Sequence, residues 1–304
     1  MPSESRTGAA LTAPDENVIH NIGYRGYDGP RLGRGYARRS LFVQSLRGAY
    51  GIGRSAKSKV LPMLLFGVAC VPAAIVVAVA VFTKAKQLPV DSSSYVLTLQ
   101  PVIGIFLAAA APQLVSLDLR FRTVPLYFSR SITHADYVQA KLAALWAALM
   151  IFIATPVLIL YVGSLLAKME FGAQTEEFGQ ALAFCLLFSL LHAGVALAVA
   201  ALTPRRGFGV AAVIAVLTIP YMLAQSLQGI AVVQGHEGAA GWLGLVSPGT
   251  LMDGIQFTFL GGDSNFPNNV ELAGGQAPFY LLLFAALVAG AYALLLRRYR
   301  KAGL

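Results

Sequence analysis

Leu61-Pro62-Met63-Leu64-Leu65-Phe66-Gly67-Val68-Ala69-Cys70-Val71-Pro72-Ala73-Ala74-Ile75-Val76-Val77-Ala78-Val79-Ala80-Val81-Phe82-Thr83 runs for 23 residues without a charged side chain. About 20 apolar residues in a helix cross the hydrocarbon of a bilayer, so this stretch reads as a transmembrane helix. A soluble core helix of that length would keep a polar face, and this one has none. Five more runs of the same kind follow, at roughly 94–117, 138–163, 178–202, 208–233 and 277–296. A membrane β-strand would be about 10 residues long and would alternate, which excludes a barrel. The expected fold class is therefore all-α: a polytopic membrane protein with six transmembrane helices. Pro72, Pro101, Pro112, Pro156 and Pro220 fall inside the spans, where membrane helices tolerate them as kinks.

The rest of the composition agrees. Of 304 residues, 57% are hydrophobic and only 12% charged, about half the usual charged share. The net charge of +9 is placed unevenly. With the N-terminus taken as cytoplasmic, 20 Lys and Arg residues fall on the inner side and 3 (Lys84, Lys86 and Lys168) on the outer. That asymmetry follows the positive-inside rule, and an odd number of spans would scramble it. Both termini are thus expected in the cytoplasm. Residues 1–60 have no apolar core of signal-peptide type, so no cleaved leader is expected. Cys70 and Cys185 lie in apolar runs and read as packing residues.

Three segments follow from this reading. Residues 1–35 are a Gly-, Arg- and Tyr-rich cytoplasmic N-terminal segment, residues 36–60 an amphipathic interfacial segment, and residues 61–304 the six-span domain. Within the second, 36–58 reads as a helix lying on an anionic leaflet. Leu41, Phe42, Leu46, Ala49 and Tyr50 gather on one face, and Arg38, Arg39, Gln44, Ser45, Arg47 and Arg54 opposite. Between the last two spans, Trp242–Val246, Ser247-Pro248-Gly249-Thr250 and Leu251–Leu260 are apolar but too short to span. They read as short re-entrant or interfacial helices. Ala285, Ala289 and Ala293 form a small-residue row that would allow close helix contact.

No catalytic, cofactor or metal site is expected in this chain. Gly48-Ala49-Tyr50-Gly51-Ile52-Gly53-Arg54-Ser55 nearly matches a phosphate-binding loop, but Arg54 replaces the lysine and no buried strand precedes it. It reads as a joint between two helices. His236-Glu237 lacks the second histidine of a zinc protease. The spans offer Gln100, Gln113, His192, Gln225 and Gln228 as possible pathway residues, but no acidic residue. Transporters driven by protons or sodium need ionisable or coordinating groups near the midplane. Energy for uphill transport would therefore enter from a separate ATP-hydrolysing subunit.

The segment suited to receive that subunit joins the second and third spans on the basic side. It carries Asp118, Arg120, Arg122, Tyr127, Phe128, Ser129, Arg130, Thr133, Asp136, Tyr137 and Lys141, mixing charge with aromatics as docking surfaces do. Thr133 reads as a helix N-cap with Asp136 at the third helical position.

On these residues the chain resembles the membrane subunits of type-2 ABC transporters, the ABC exporter permease family, over about residues 36–304. Family members have an elbow helix, six spans, and an acidic residue that opens a coupling loop. That loop ends in a pattern like S-R-P-[IV]-[ST]-R-x-x-[YFIL]-x-x-x-K. Asp118, Ser129-Arg130-Ser131-Ile132-Thr133, Tyr137 and Lys141 take those places, with Ser131 standing where proline is common and His134 where a basic residue is common. Ser247-Pro248 fits the step that family members often carry in re-entrant helices before the last span. Gly23–Arg34 resembles N-termini of actinobacterial members.

The resemblance implies a bacterial plasma-membrane protein that dimerises with a second copy or a related permease. It also implies partner ATPase subunits, which would hold ATP and magnesium and bind loop 118–141, with coupling through that loop and the elbow helix that carries Arg38, Arg39, Phe42, Leu46 and Arg47. Membrane lipid is a further expected partner, and nucleic acid is not. The cargo would be hydrophobic or amphiphilic: a drug, peptide or lipid. The alternative is a membrane scaffold that anchors a cytoplasmic partner without transport.

Overall fold

The computed structural model describes residues 29, 32–121, 123–128, 132–203, 205–267, 272 and 275–302. Most of the N-terminal segment, together with Arg122, Ser129, Arg130 and Ser131, lies outside the described residues. Residues 33–302 belong to one compact all-α unit. In chain order the helices are α1 (Arg34–Ala49), α2 (Ala56–Thr83), α3 (Ser92–Thr98), α4 (Gln100–Arg120), α5 (Val124–Phe128), α6 (His134–Leu166), α7 (Phe171–Leu202), α8 (Arg206–Val233), α9 (Glu237–Leu243), α10 (Pro248–Ile255) and α11 (Ala277–Ala302). A 3-10 turn, Gly244–Val246, joins α9 to α10, and a π-turn, Gln256–Leu260, follows α10. Six of these helices, α2, α4, α6, α7, α8 and α11, are long and apolar enough to cross a membrane. The chain is a polytopic helical membrane protein.

Lipid chains are as apolar as leucine, so the spans associate through close packing and hydrogen bonds rather than through a hydrophobic drive between helices. α6 and α7 are the central pair. Phe106 of α4 stacks on Phe152 of α6 with ring centroids 4.5 Å apart. Phe66 of α2 meets Phe152 edge-on at 5.9 Å, and Tyr50 lies 5.6 Å from Phe106. Such pairs contribute about 0.5–1.5 kcal/mol each. Small residues bring backbones together elsewhere. A Cβ on Gly163 of α6 would meet Val77 of α2 at 2.2 Å, so only glycine fits that crossing. α11 meets α7 at Gly194 and Ala291, and Leu295 and Tyr299 of α11 are also buried. The row Ala285, Ala289 and Ala293 is instead exposed.

Three local features depart from the sequence reading. The second apolar run is two helices, α3 and α4, joined at Leu99. Pro101 has no N–H to bond the Leu97 carbonyl, so the ladder breaks there instead of kinking mid-span. Asp91 caps α3 by accepting the backbone N–H groups of Ser93 and Ser94.

The elbow is also shorter than expected. α1 ends at Ala49, and the chain turns through Tyr50–Ser55 into α2, which begins at Ala56. Gly51 makes that turn at φ +69°, and a Cβ there would lie 2.3 Å from the Ser58 carbonyl oxygen. Finally, the apolar face of α1 does not point away from the protein. Leu41, Ser45, Ala49 and Tyr50 are buried, with Phe42 and Leu46 half-buried beside them against the core. The Tyr50 hydroxyl donates to the Ala148 carbonyl of α6 at 2.7 Å. The reason is that α6 and α4 present a fitted apolar surface at that level, closer to hand than lipid.

The segment before the last span does form short helices. Ser247 caps α10 by accepting the Thr250 N–H at 3.1 Å, with Pro248 at the first helical position. Gly244 and Gly254 let Tyr280 of α11 pack tightly between the short elements, and its hydroxyl donates to the Gly241 carbonyl.

Candidate functional site

The basic ends of the helices gather at one end of the bundle. There Lys141 Nζ lies 3.0 Å from Asp118 Oδ2, joining the end of α4 to the early part of α6. The Tyr137 hydroxyl donates to the same carboxylate oxygen. Lys141 also stands 5.3 Å from the centre of the Tyr137 ring. Tyr137 packs on Tyr299 of α11 at 4.8 Å, and the Tyr299 hydroxyl donates to the Val115 carbonyl at 3.4 Å. Arg298 Nε donates to the Ala201 carbonyl of α7 at 3.3 Å. One carboxylate, one ammonium and two phenols thus tie together α4, α6 and α11, with α7 held beside them. The charges cancel inside the knot, so the arrangement fixes geometry.

A second knot lies at the N-terminus of α6. Thr133 Oγ1 accepts the Asp136 N–H at 3.3 Å, and Asp136 Oδ2 accepts the Thr133 N–H at 3.0 Å, a complete capping box. Arg34, the first residue of α1, closes over it. Its Nε lies 2.5 Å from Asp136 Oδ2, and its Nη2 donates to Thr133 Oγ1 at 2.9 Å. The Asp136 carboxylate holds the exposed Arg34 guanidinium more firmly protonated.

Between the knots runs the short α5. Tyr127 and Phe128 on it lean on Tyr137 at 5.4 and 6.0 Å, and Phe128 lies 3.9 Å from the His134 ring. Burial, and then the neighbouring Asp118 charge, push the Tyr127 phenol up. A small polar cavity of about 100 Å³ separates this cluster from α1. Gln44, Ser45, Arg54, Gln113, Asp118 and Lys141 contribute to its wall.

Of the coupling-loop residues singled out in the sequence, Asp118, Thr133, Asp136, Tyr137 and Lys141 are brought together. Arg120 stands apart, exposed at the end of α4 with its guanidinium 5.6 Å from the Phe121 ring. Arg122, Ser129 and Arg130 are among the residues not described. On the elbow, Arg38, Arg39 and Arg47 are exposed, and Phe42 and Leu46 pack inward.

The five possible pathway residues do not form one line. Gln100 Nε2 lies 3.1 Å from His192 Nε2, and both side chains are buried. His192 Nδ1 is 3.0 Å from the Phe188 carbonyl and donates to it, which leaves Nε2 to accept from Gln100. Gln228 Nε2 instead donates to the Ala240 carbonyl of α9 at 2.9 Å. Gln225 reaches Tyr221 at 3.4 Å, and Gln113 belongs to the polar cavity beside Asp118.

The sequence reading missed three residues. Arg34 falls in the N-terminal segment, Tyr299 beyond the last apolar run, and Asp253 within an apolar stretch. Asp253 is buried on α10, where its Oδ1 accepts the Asn265 N–H at 3.0 Å and its Oδ2 has no hydrogen-bond partner among the described residues. Burial pushes that carboxyl up to about 7. The spans themselves carried no central acid, but α10 brings one inside from a helix too short to span. The signal available beforehand was a lone acid among Leu251, Met252 and Ile255 at helical spacing.

No family model matches the chain, and no curated protein matches it.

Proposed function

We propose that this chain is the membrane subunit of an ATP-driven exporter, powered by separate ATPase subunits that press on the loop between α4 and α6. The observation that carries the reading is the Asp118–Tyr137–Lys141 knot. Any force on residues 121–133 must pass into both ends of that loop. From there it reaches α11 through Tyr299 and α1 through Arg34. Buried, hydrogen-bonded charge pairs are stiff connections, because breaking one leaves an uncompensated charge. A docking surface on this loop would therefore move four elements together, which is what coupling requires: differential contact between two states at one place.

In this reading the basic end faces the cytoplasm, as the charge asymmetry argues. Exposed apolar faces on α2, α8 and α11 leave surface for lipid and for a second permease copy. The cargo would be hydrophobic or amphiphilic.

The test is co-purification of the full-length chain from native membranes, followed by vanadate-sensitive ATP hydrolysis in proteoliposomes. An ATPase subunit should copurify. Its turnover should fall in Phe121→Asp, a change at an exposed aromatic of the loop outside the charge knot, while the unfolding midpoint stays close to wild type. Normal binding and turnover in that variant would remove the loop from the coupling role. A copurifying protein that hydrolyses no ATP would favour the scaffold alternative.

A further inference from the structure

With its apolar face on the bundle, α1 turns its other face outward. Arg39, Ser40, Val43, Gln44 and Arg47 repeat along that face at helical spacing. Ile52 and Arg54 from the turn before α2 form the opposite wall, enclosing a groove of about 530 Å³. Among the described residues, the ion pairs are Arg34–Asp136 and Lys141–Asp118, so Arg39, Arg47 and Arg54 have no carboxylate partner. Three guanidiniums that form no ion pair among the described residues surround one concavity and give it a positive potential, and their planar forks match phosphate oxygens. Ser40 and Gln44 add hydrogen-bonding groups, while Val43 and Ile52 add apolar wall.

A second feature adjoins the first. α2 begins two residues after Arg54, and along it Val60, Leu61, Leu64, Val68 and Val71 are exposed, as lipid-facing residues are. The groove thus stands where a span enters the hydrocarbon, at the level of headgroup phosphates. It is also far roomier than a free phosphate ion needs. We infer that the groove between α1 and the α1–α2 turn binds the phosphate headgroup of an anionic membrane lipid, with its acyl chains beside α2. The lipid would hold the outer face of α1 while the protein core holds the inner one. Each arginine near an anionic headgroup contributes about fivefold in affinity, and three together roughly 100-fold.

The experiment is native mass spectrometry of the full chain in detergent, titrated with dioleoylphosphatidylglycerol or dioleoylphosphatidylcholine. Wild type should retain phosphatidylglycerol in preference. Arg39→Gln/Arg47→Gln/Arg54→Gln should lose that binding by roughly 100-fold and keep its weak phosphatidylcholine binding. Arg297→Gln/Arg300→Gln/Lys301→Gln, on the exposed tail of α11, should leave phosphatidylglycerol binding intact. Should the groove variant fail to fold, Arg47→Gln alone should still show a loss of about fivefold. Equal loss in the tail variant, or none in the groove variants, would overturn the inference. So would displacement of phosphatidylglycerol from wild type by millimolar inorganic phosphate or ATP, which would mark a site for free phosphate.

Discussion

Lys141 Nζ and Asp118 Oδ2 stand 3.0 Å apart at the closed root of the loop that links α4 to α6, and both side chains are largely shielded from solvent. The pair holds two spans in register at the end where the N-terminal helix, the loop and the chain's last helix meet. Removing either partner strands the other charge, so Asp118→Ala and Lys141→Ala should each destabilise the fold by about 3–5 kcal/mol. Asp118→Ala/Lys141→Ala should cost clearly less than the two single losses added together. Reversible unfolding in mixed micelles measures all of them. Strictly additive losses would mean that the two side chains do not act as a pair.

The capping box predicts a smaller effect at the start of α6. Thr133→Ala removes the acceptor of the Asp136 N–H and a partner of Arg34, and should cost about 1 kcal/mol. Arg34→Ala should leave the unfolding midpoint nearly unchanged yet free the first turn of α1. Trypsin would then cut faster at Arg38 and Arg39 than in wild type. An unchanged cleavage rate would show that α1 is held by its apolar face alone.

Asp253 sets a pH dependence. Its folded value, about 7, lies above its ordinary value of 3.8. Its contribution to stability is therefore fully present below pH about 4 and declines as pH rises through about 7. The loss is at most about 4 kcal/mol. Asp253→Asn keeps the oxygen that accepts the Asn265 N–H and removes the charge. Unfolding midpoints between about pH 4 and 9 should fall for wild type and stay flatter for the variant. Parallel curves would mean that the carboxylate is not buried in the folded protein.

Close packing makes Gly163 sensitive to size. Gly163→Ala drives a methyl into Val77 and should destabilise by about 1–3 kcal/mol. Val77→Ala added to it should restore part of that loss. If the double variant is worse than either single one, α2 and α6 do not cross there.

The amino-acid sequence by itself determined what depends on short spacings along the chain. Bilayer-length apolar runs fixed the six spans, because hydrocarbon forces every backbone group into internal hydrogen bonds. Thr133 and Asp136, three residues apart, specify a helix start wherever it lies, as do Ser247 and Pro248. Only the tertiary structure decided which partners those elements meet. Arg34 pairs with a carboxylate 102 residues away, and the Tyr299 hydroxyl donates to a carbonyl 184 residues away. The apolar face of α1 could serve lipid or protein equally well, and the surface offered by α4 and α6 settled the choice. Asp253 looked like one polar residue in an apolar stretch until α10 packed against its neighbours and buried it. Periodicity reports that a face must be covered, whereas the identity of the cover depends on how distant segments close around one another.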